Sequence, residues 1–220
     1  MEMKCFGLMA RRTLWWPTAR GWLAMGLALA VTGSAVFFRW LPFLAVHRPI
    51  AASVLVIEGW VADHAMREGV REFRRGRYER VYVTGGPLDA GAPLSEHKTY
   101  AELGRKVLLE LGVDASAVVS VPAPWVKADR TYASAVALRD WFRKSGNVPE
   151  TMNLLSVGPH ARRSGFLFEA AFGDATRVGV FKVAEVDYDE SRWWTTSAGV
   201  RSVLDETIAY WYARLFFRPD

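Results

Sequence analysis

At 220 residues the chain can hold one membrane segment and one domain of ordinary size. Its formal charge is +5, yet residues 1–48 carry six basic side chains against Glu2 alone, while the remaining 172 carry 22 of each sign. The basic character therefore belongs to the N-terminal segment, and the charge gives the domain no nucleic-acid interface. The single cysteine, Cys5, precedes the apolar segment, so the domain has no disulfide and no cysteine-based metal site.

The first predicted element is a membrane span. Gly21 to Phe38 is an uncharged run. As a helix it covers roughly 27 Å, close to the hydrocarbon thickness of a bilayer. Arg39 can snorkel, and Trp40 through Val46 extend the element into the interface, which gives a span over residues 21–46. A signal peptide is the competing reading, but the apolar region is long for one and no A-x-A site follows it. Lys4, Arg11, Arg12 and Arg20 precede the span, and only Arg39 and Arg48 follow closely. The positive-inside rule then places residues 1–20 in the cytoplasm and the domain, residues 49–220, on the other side of the membrane. Trp15, Trp16, Trp22 and Trp40 suit an interfacial belt.

Beyond Pro49, apolar β-rich runs alternate with helical patterns. Strands are expected over residues 53–57, 80–84, 117–121, 153–157 and 177–183, each a continuous apolar run of the kind buried on both faces of a parallel sheet. Helices are expected over residues 63–75, 95–111, 130–144, 160–172 and 196–217. Asp63 and Ser95 stand as N-caps, and Gly112 and Gly146 as stops. The alternation predicts an α/β fold: a doubly wound, mainly parallel five-stranded sheet of Rossmann-like type behind one N-terminal transmembrane helix. In the last helix, Val200, Val203, Leu204, Thr207, Ile208, Trp211 and Leu215 fall at core spacing. Its other aromatics, Tyr210, Tyr212, Phe216 and Phe217, with Trp193 and Trp194 ahead of them, could touch the bilayer or a partner, though packing on the sheet accounts for most of them.

In such sheets a ligand sits beyond the carboxyl ends of the strands. The first strand ends in Glu58-Gly59, where Glu58 either lines the ligand edge or pairs locally, and Gly59 permits close backbone approach. The second ends in Thr84-Gly85-Gly86-Pro87, a possible nest of N–H groups or a plain turn, followed by Ser95-Glu96. The third leads through Pro122 and Pro124 to Asp129-Arg130-Thr131. There Arg130 and Thr131 face the cleft, or Asp129 caps the helix and pairs with Arg130. The fourth runs into Gly158-Pro159-His160-Ala161-Arg162-Arg163, where a helix start, two guanidiniums and an imidazole suit a phosphate or carboxylate. Arg163 lies one turn from His160, so it is placed in the cleft and Arg162 on the surface. No Walker loop, G-x-G-x-x-G motif or metal cage is present, and no cofactor is implied. The basic run from Arg67 to Arg80 is interleaved with Glu68, Glu72 and Glu79, as in a solvated helix face.

These strand ends resemble the ElyC/SanA/YdcF family of bacterial envelope-associated proteins over roughly residues 50–183. The likeness rests on Glu58-Gly59, on Thr84-Gly85-Gly86-Pro87 with Ser95-Glu96, on Gly112-Val113, on Thr131 and Ala135, and on His160-x-x-Arg163. The chain departs where the family's Asn-Thr-x-Glu-Asn-Ala signature reads Arg130-Thr131-Tyr132-Ala133-Ser134-Ala135, and Arg130 points to a more anionic ligand. The resemblance implies a Rossmann-like domain tethered at the bacterial plasma membrane and serving peptidoglycan or lipid-carrier metabolism.

The expected function is that of a membrane-anchored envelope protein binding a small anionic cell-wall or lipid-linked precursor. If it is an enzyme, His160 is the acid/base, Arg163 and Arg130 hold the anion, and Glu58 or Glu96 polarises a hydroxyl or water. Gly59, Thr84, Gly85, Gly86 and Thr131 complete the expected binding set. The alternatives are a non-enzymatic envelope factor that recruits a membrane partner, and a nucleotide or S-adenosylmethionine binder facing the cytoplasm.

Overall fold

The computed structural model of the chain describes residues 17–91 and 93–219. Lys4, Cys5, Arg11, Arg12, Trp15 and Trp16, invoked above, lie outside the described residues. The chain forms two compact units, residues 1–39 and residues 40–220. Helix α1 (Ala19–Leu44) supplies the described part of the first unit and enters the second with its final residues. It is long and apolar enough to cross a membrane, with a mean hydropathy of 1.7, and its most apolar stretch buries no side chain against protein.

The second unit is an α/β sandwich. Strands β1 (Val54–Glu58), β2 (Arg80–Gly85), β3 (Val118–Pro122), β4 (Thr151–Val157) and β5 (Arg177–Val183) form one sheet in the order β3-β2-β1-β4-β5. Every pairing is parallel. The intervening helices are α2 (Asp63–Arg75), α3 (Tyr100–Glu110), α4 (Arg130–Ser145) and α5 (His160–Phe172), and α6 (Ser197–Leu215) closes the chain. The continuous apolar strands follow from this layering, because alternate residues serve opposite cores. Leu55, Ile57, Val81 and Val83 pack beneath α2 and α3 with Met66 and Leu108. Val54, Val56, Tyr82 and Leu154 pack beneath α4 and α5 with Leu138, Phe142 and Phe168. The chain builds outward from β1 to β3, then returns to build β4 and β5 on the other side. A crevice therefore opens between the ends of β1 and β4, where ligands settle in folds of this class.

The boundaries of α2, α5 and β5 agree with the sequence pattern. The start of α3 does not. Ser95 was the expected N-cap, but the helix begins at Tyr100 and Thr99 caps it. The Thr99 hydroxyl accepts from the Glu102 amide, and the Glu102 carboxylate accepts from the Thr99 amide. The preceding residues are held outside the helix because Pro87 and Thr99 pair as an antiparallel bridge. Asp63 is likewise the first helical residue rather than the cap, which is Ala62.

A third cluster joins Leu41, Leu44 and Ala45 to Tyr188, Trp193 and Val203 of the C-terminal region. Trp40 Nε1 donates to Thr207 Oγ1 at 2.6 Å, and the rings of Phe43 and Tyr210 meet edge to face at 5.5 Å. Arg162 was expected on the surface. It is instead half-buried, donating through Nε to the Phe43 carbonyl and laying its guanidinium over the Phe43 ring at 3.9 Å. This is the physical consequence of adjacent helical residues diverging by about 100°: Arg163 goes to the cleft and Arg162 to the neighbouring face, against Phe43.

Downstream, Arg48 forms an antiparallel bridge with Val180 on the free side of β5, with amide–carbonyl distances of 2.8 and 3.2 Å. Asn153, a polar residue in the middle of β4, fixes the next turn of this connection. Its Oδ1 accepts from Ile50 N at 2.9 Å, and its Nδ2 donates to Ile50 O and Tyr78 Oη, both at 2.8 Å. Asn153→Leu leaves these partners unsatisfied and is expected to cost about 2 kcal/mol. The urea unfolding midpoint of the full chain in mild detergent measures this, and an unchanged midpoint would contradict the assigned role.

Candidate functional site

The crevice between β1 and β4 is the floor of a cleft of about 1100 Å³. Four segments place its polar groups. Glu58 is the last residue of β1, Thr84 stands near the end of β2, His160 and Arg163 lie on the first turn of α5, and Glu206 reaches in from α6. Gly158 makes the sharp exit from β4 in the left-handed region, at φ +49°, which frees the chain to begin α5 over the crevice.

His160 is the centre of a four-charge cluster. Its Nδ1 lies 2.7 Å from Glu206 Oε1, and its Nε2 lies 3.6 Å from Glu58 Oε1, an ion pair too long for a hydrogen bond. Arg163 donates from Nε to Glu206 Oε2 and from Nη2 to Glu206 Oε1, each at 2.9 Å, a bidentate fork. The Nη2 group also lies 2.8 Å from Nδ1. Two lone pairs cannot share the short Nδ1–Glu206 contact, so Nδ1 carries a proton and both cationic groups donate to one carboxylate. Ser164 Oγ lies 3.0 Å from both oxygens of Glu58 and holds that carboxylate in place.

The protonation states follow. Burial works against the charged imidazole, but the Glu58 charge and the bond to Glu206 outweigh it and raise His160 to about 9. Burial likewise opposes ionisation of Glu206, and its bonds to Arg163 and His160 override this, taking it down to about 2. Glu58 is also lowered: the His160 charge and the hydroxyls of Ser156 and Ser164 prevail over its burial. At neutral pH the cluster holds two cations and two anions and is neutral overall.

Two buried polar atoms of the cleft lack a hydrogen-bond partner among the described residues: Thr84 Oγ1 and His160 Nε2. Thr84 is 1% exposed. Such groups are expensive to leave unpaired, and here both belong to residues that line the cleft. Trp60 stands edge to face against the His160 ring at 4.7 Å and is partly exposed. Glu185, another lining residue, has its carboxyl pushed up by burial and by Asp187.

Of the expected site residues, Glu58, Thr84, Gly85, Gly86, Arg130, Thr131, His160 and Arg163 line this one cleft. Gly59 serves packing: a side chain there would collide with the Tyr100 carbonyl, so the close approach is between the turn after β1 and the first residue of α3. Glu96 is exposed and lies apart from the lining, with its charge felt by Lys106. Arg130 is exposed and paired with Asp89 at 2.8 Å, in place of the expected Asp129. Asp129 instead adopts the left-handed region at φ 57°, with no side-chain cap bond to α4. Glu206 was missed by the sequence reading, because its partner is 46 residues away and no local pattern marks it. Ser164 was missed as well, although its place at i+4 from His160, on the same face of α5, was a signal that could have found it. Among the described residues no cluster of His, Cys, Asp and Glu side chains could hold a metal ion.

Fold and site together define a Rossmann-like α/β domain with a ligand-sized cleft at the crossover between β1 and β4. No family model matches the chain, and no curated protein matches it.

Proposed function

We propose that this is a membrane-anchored protein of the bacterial envelope whose cleft binds the phosphate- or carboxylate-bearing head of a cell-wall or lipid-linked precursor. The observation that carries the reading is the pair of unsatisfied buried groups, Thr84 Oγ1 and His160 Nε2, in a cleft at the sheet's crossover. Both can donate to an oxygen of a bound anion. Arg163 commits two donors to Glu206, so its role is to position that carboxylate and the imidazole. Lys127 and Arg130 also line the cleft, Arg130 with its charge already met by Asp89. The external orientation follows from the basic residues ahead of the span, and the envelope assignment from the resemblance to the ElyC/SanA/YdcF family.

In the catalytic form of this reading His160 is a general acid. An imidazole held protonated to about pH 9 passes its Nε2 proton to a leaving oxygen and is poorly suited to act as a base near neutrality. Glu58 keeps it charged and oriented.

Thermal stabilisation of the full chain in detergent by pyrophosphate, glucose 1-phosphate and a short-chain polyprenyl phosphate tests the reading. At least one probe is expected to raise the melting temperature, and Thr84→Val to weaken its binding about tenfold, the loss of one hydrogen bond to a charged group. His160→Gln should abolish it. If no probe stabilises the protein, or both variants bind as the parent does, the site assignment is wrong.

A further inference from the structure

Helix α6 has three sides. One faces the cleft and α5, through Ser202, Glu206, Ala209 and Ala213. A second holds the Trp40–Phe43 segment, through Val203, Thr207 and Tyr210. On the third, Leu204, Ile208, Trp211 and Leu215 recur at four, three and four residues and form a continuous stripe. These four are 52%, 68%, 42% and 55% exposed, so the stripe belongs to no core of the domain. A contiguous apolar face of this kind marks an interaction surface, whereas scattered exposed leucines do not.

We infer that this stripe lies in the lipid headgroup and upper acyl region of the bilayer, so that α6 is an interfacial helix. The composition suits that medium: aliphatic residues with Trp211 and Tyr212 at the margin, and Arg201 and Arg218 near the two ends of the stripe. The covalent connection selects lipid as the occupant. Trp40, one peptide bond beyond Arg39 and of the residue type that sits at the membrane–water boundary, is hydrogen-bonded to Thr207 of α6. Helix α6 is thus tied directly to the residue that follows the apolar segment. A protein partner or a second copy of the chain has no such feature in its favour. Ile208 and Tyr212 belong to the cleft lining as well as to this exposed margin. The mouth of the cleft therefore opens at the membrane surface, where a head group can enter while its hydrocarbon portion stays in lipid.

The inference rests on α1 being membrane-embedded, as in the proposed function, and one set of samples separates the two. In a Cys5→Ser background, single cysteines at Leu29, Ile208, Leu215 and Glu110 are labelled with an environment-sensitive fluorophore. The full chain is then placed in nanodiscs of phosphatidylethanolamine and phosphatidylglycerol. Spin-labelled lipid should quench positions 29, 208 and 215 strongly and leave 110 untouched. Quenching at 29 with position 208 as aqueous as 110 overturns the interfacial helix alone. Position 208 shielded from iodide but unquenched by lipid also overturns it, in favour of a protein cover. An unquenched position 29 removes the anchor and this inference together.

Discussion

Glu206→Gln is expected to destabilise the full chain by about 3 kcal/mol, the usual cost of removing one partner from a buried ion cluster. The loss arises because Arg163 and His160 both rely on that carboxylate, through contacts of 2.7 to 2.9 Å. The pH dependence carries the signature. The native pKa of His160 is raised from 6.5 to about 9, so its stabilisation is complete below about pH 6.5 and disappears as pH rises through 9. Glu206 is lowered from 4.5 to about 2, so its contribution is complete above 4.5 and disappears as pH falls toward 2. The parent should therefore be most stable, as far as this cluster goes, between these limits. In the variant the Glu206 share of the acid-side loss is removed, leaving that of Glu58, and the alkaline loss starts at lower pH because one partner holding the imidazole charged is gone. Urea unfolding from pH 2 to pH 9.5, with an NMR titration of the His160 ring, measures both effects. Superimposable pH profiles for parent and variant would show that the cluster is not formed in solution.

Phe142→Ala should lower stability by about 3–5 kcal/mol, among the largest effects available to a single side chain here. Phe142 is fully enclosed on α4 and meets the rings of Tyr82, Trp141 and Phe172 at 4.8, 5.5 and 6.2 Å. It thereby joins the sheet to both α4 and α5, and neighbours held by the sheet cannot collapse fully into the void. At roughly 2–4 °C per kcal/mol for a domain of this size, the melting temperature should fall by at least about 6 °C. The cleft should be spared, because Arg130 and Thr131 stand at the opposite end of α4. Differential scanning fluorimetry with and without a bound probe separates the two: the baseline should drop while the ligand-induced shift persists. A fall of less than 1 °C would mean that the three rings do not form one packed unit.

What the sequence made legible is what depends on local patterns. The strands were readable because burial on both faces leaves no polar alternation in Leu55–Ile57 or Val81–Val83. The helix starting at His160 was readable because Gly158-Pro159 must end a strand. Residues converging on a strand edge, such as Glu58, Thr84 and His160, followed from the fold class, since parallel sheets gather ligands at one edge. Failures occurred where the deciding neighbour is remote. The capping box at Thr99 was hidden by an equally plausible Ser95, and only the bridge to Pro87 excludes the earlier start. On α6, spacing of three and four was read as a single core face, whereas Leu204, Ile208, Trp211 and Leu215 are exposed and Val203 is buried. Apolar residues on two of three helical sides leave no one direction to detect, so periodicity could not separate packing from presentation. Glu206 was invisible for the same reason: its meaning depends on a fold-back that brings α6 against α5.

The bridge between Arg48 and Val180 bears on how the sheet meets other copies of the chain. A parallel sheet of five strands has two bare rims, and each can recruit an identical strand from a neighbouring molecule. At the β5 rim, however, Val180 already exchanges both backbone bonds with Arg48, and the Lys182 amide donates to the His47 ring. The segment leading into the domain thus doubles as a guard against polymerisation. Strand addition is left to the β3 rim, where the Arg105 side chain leans on the Val118 carbonyl.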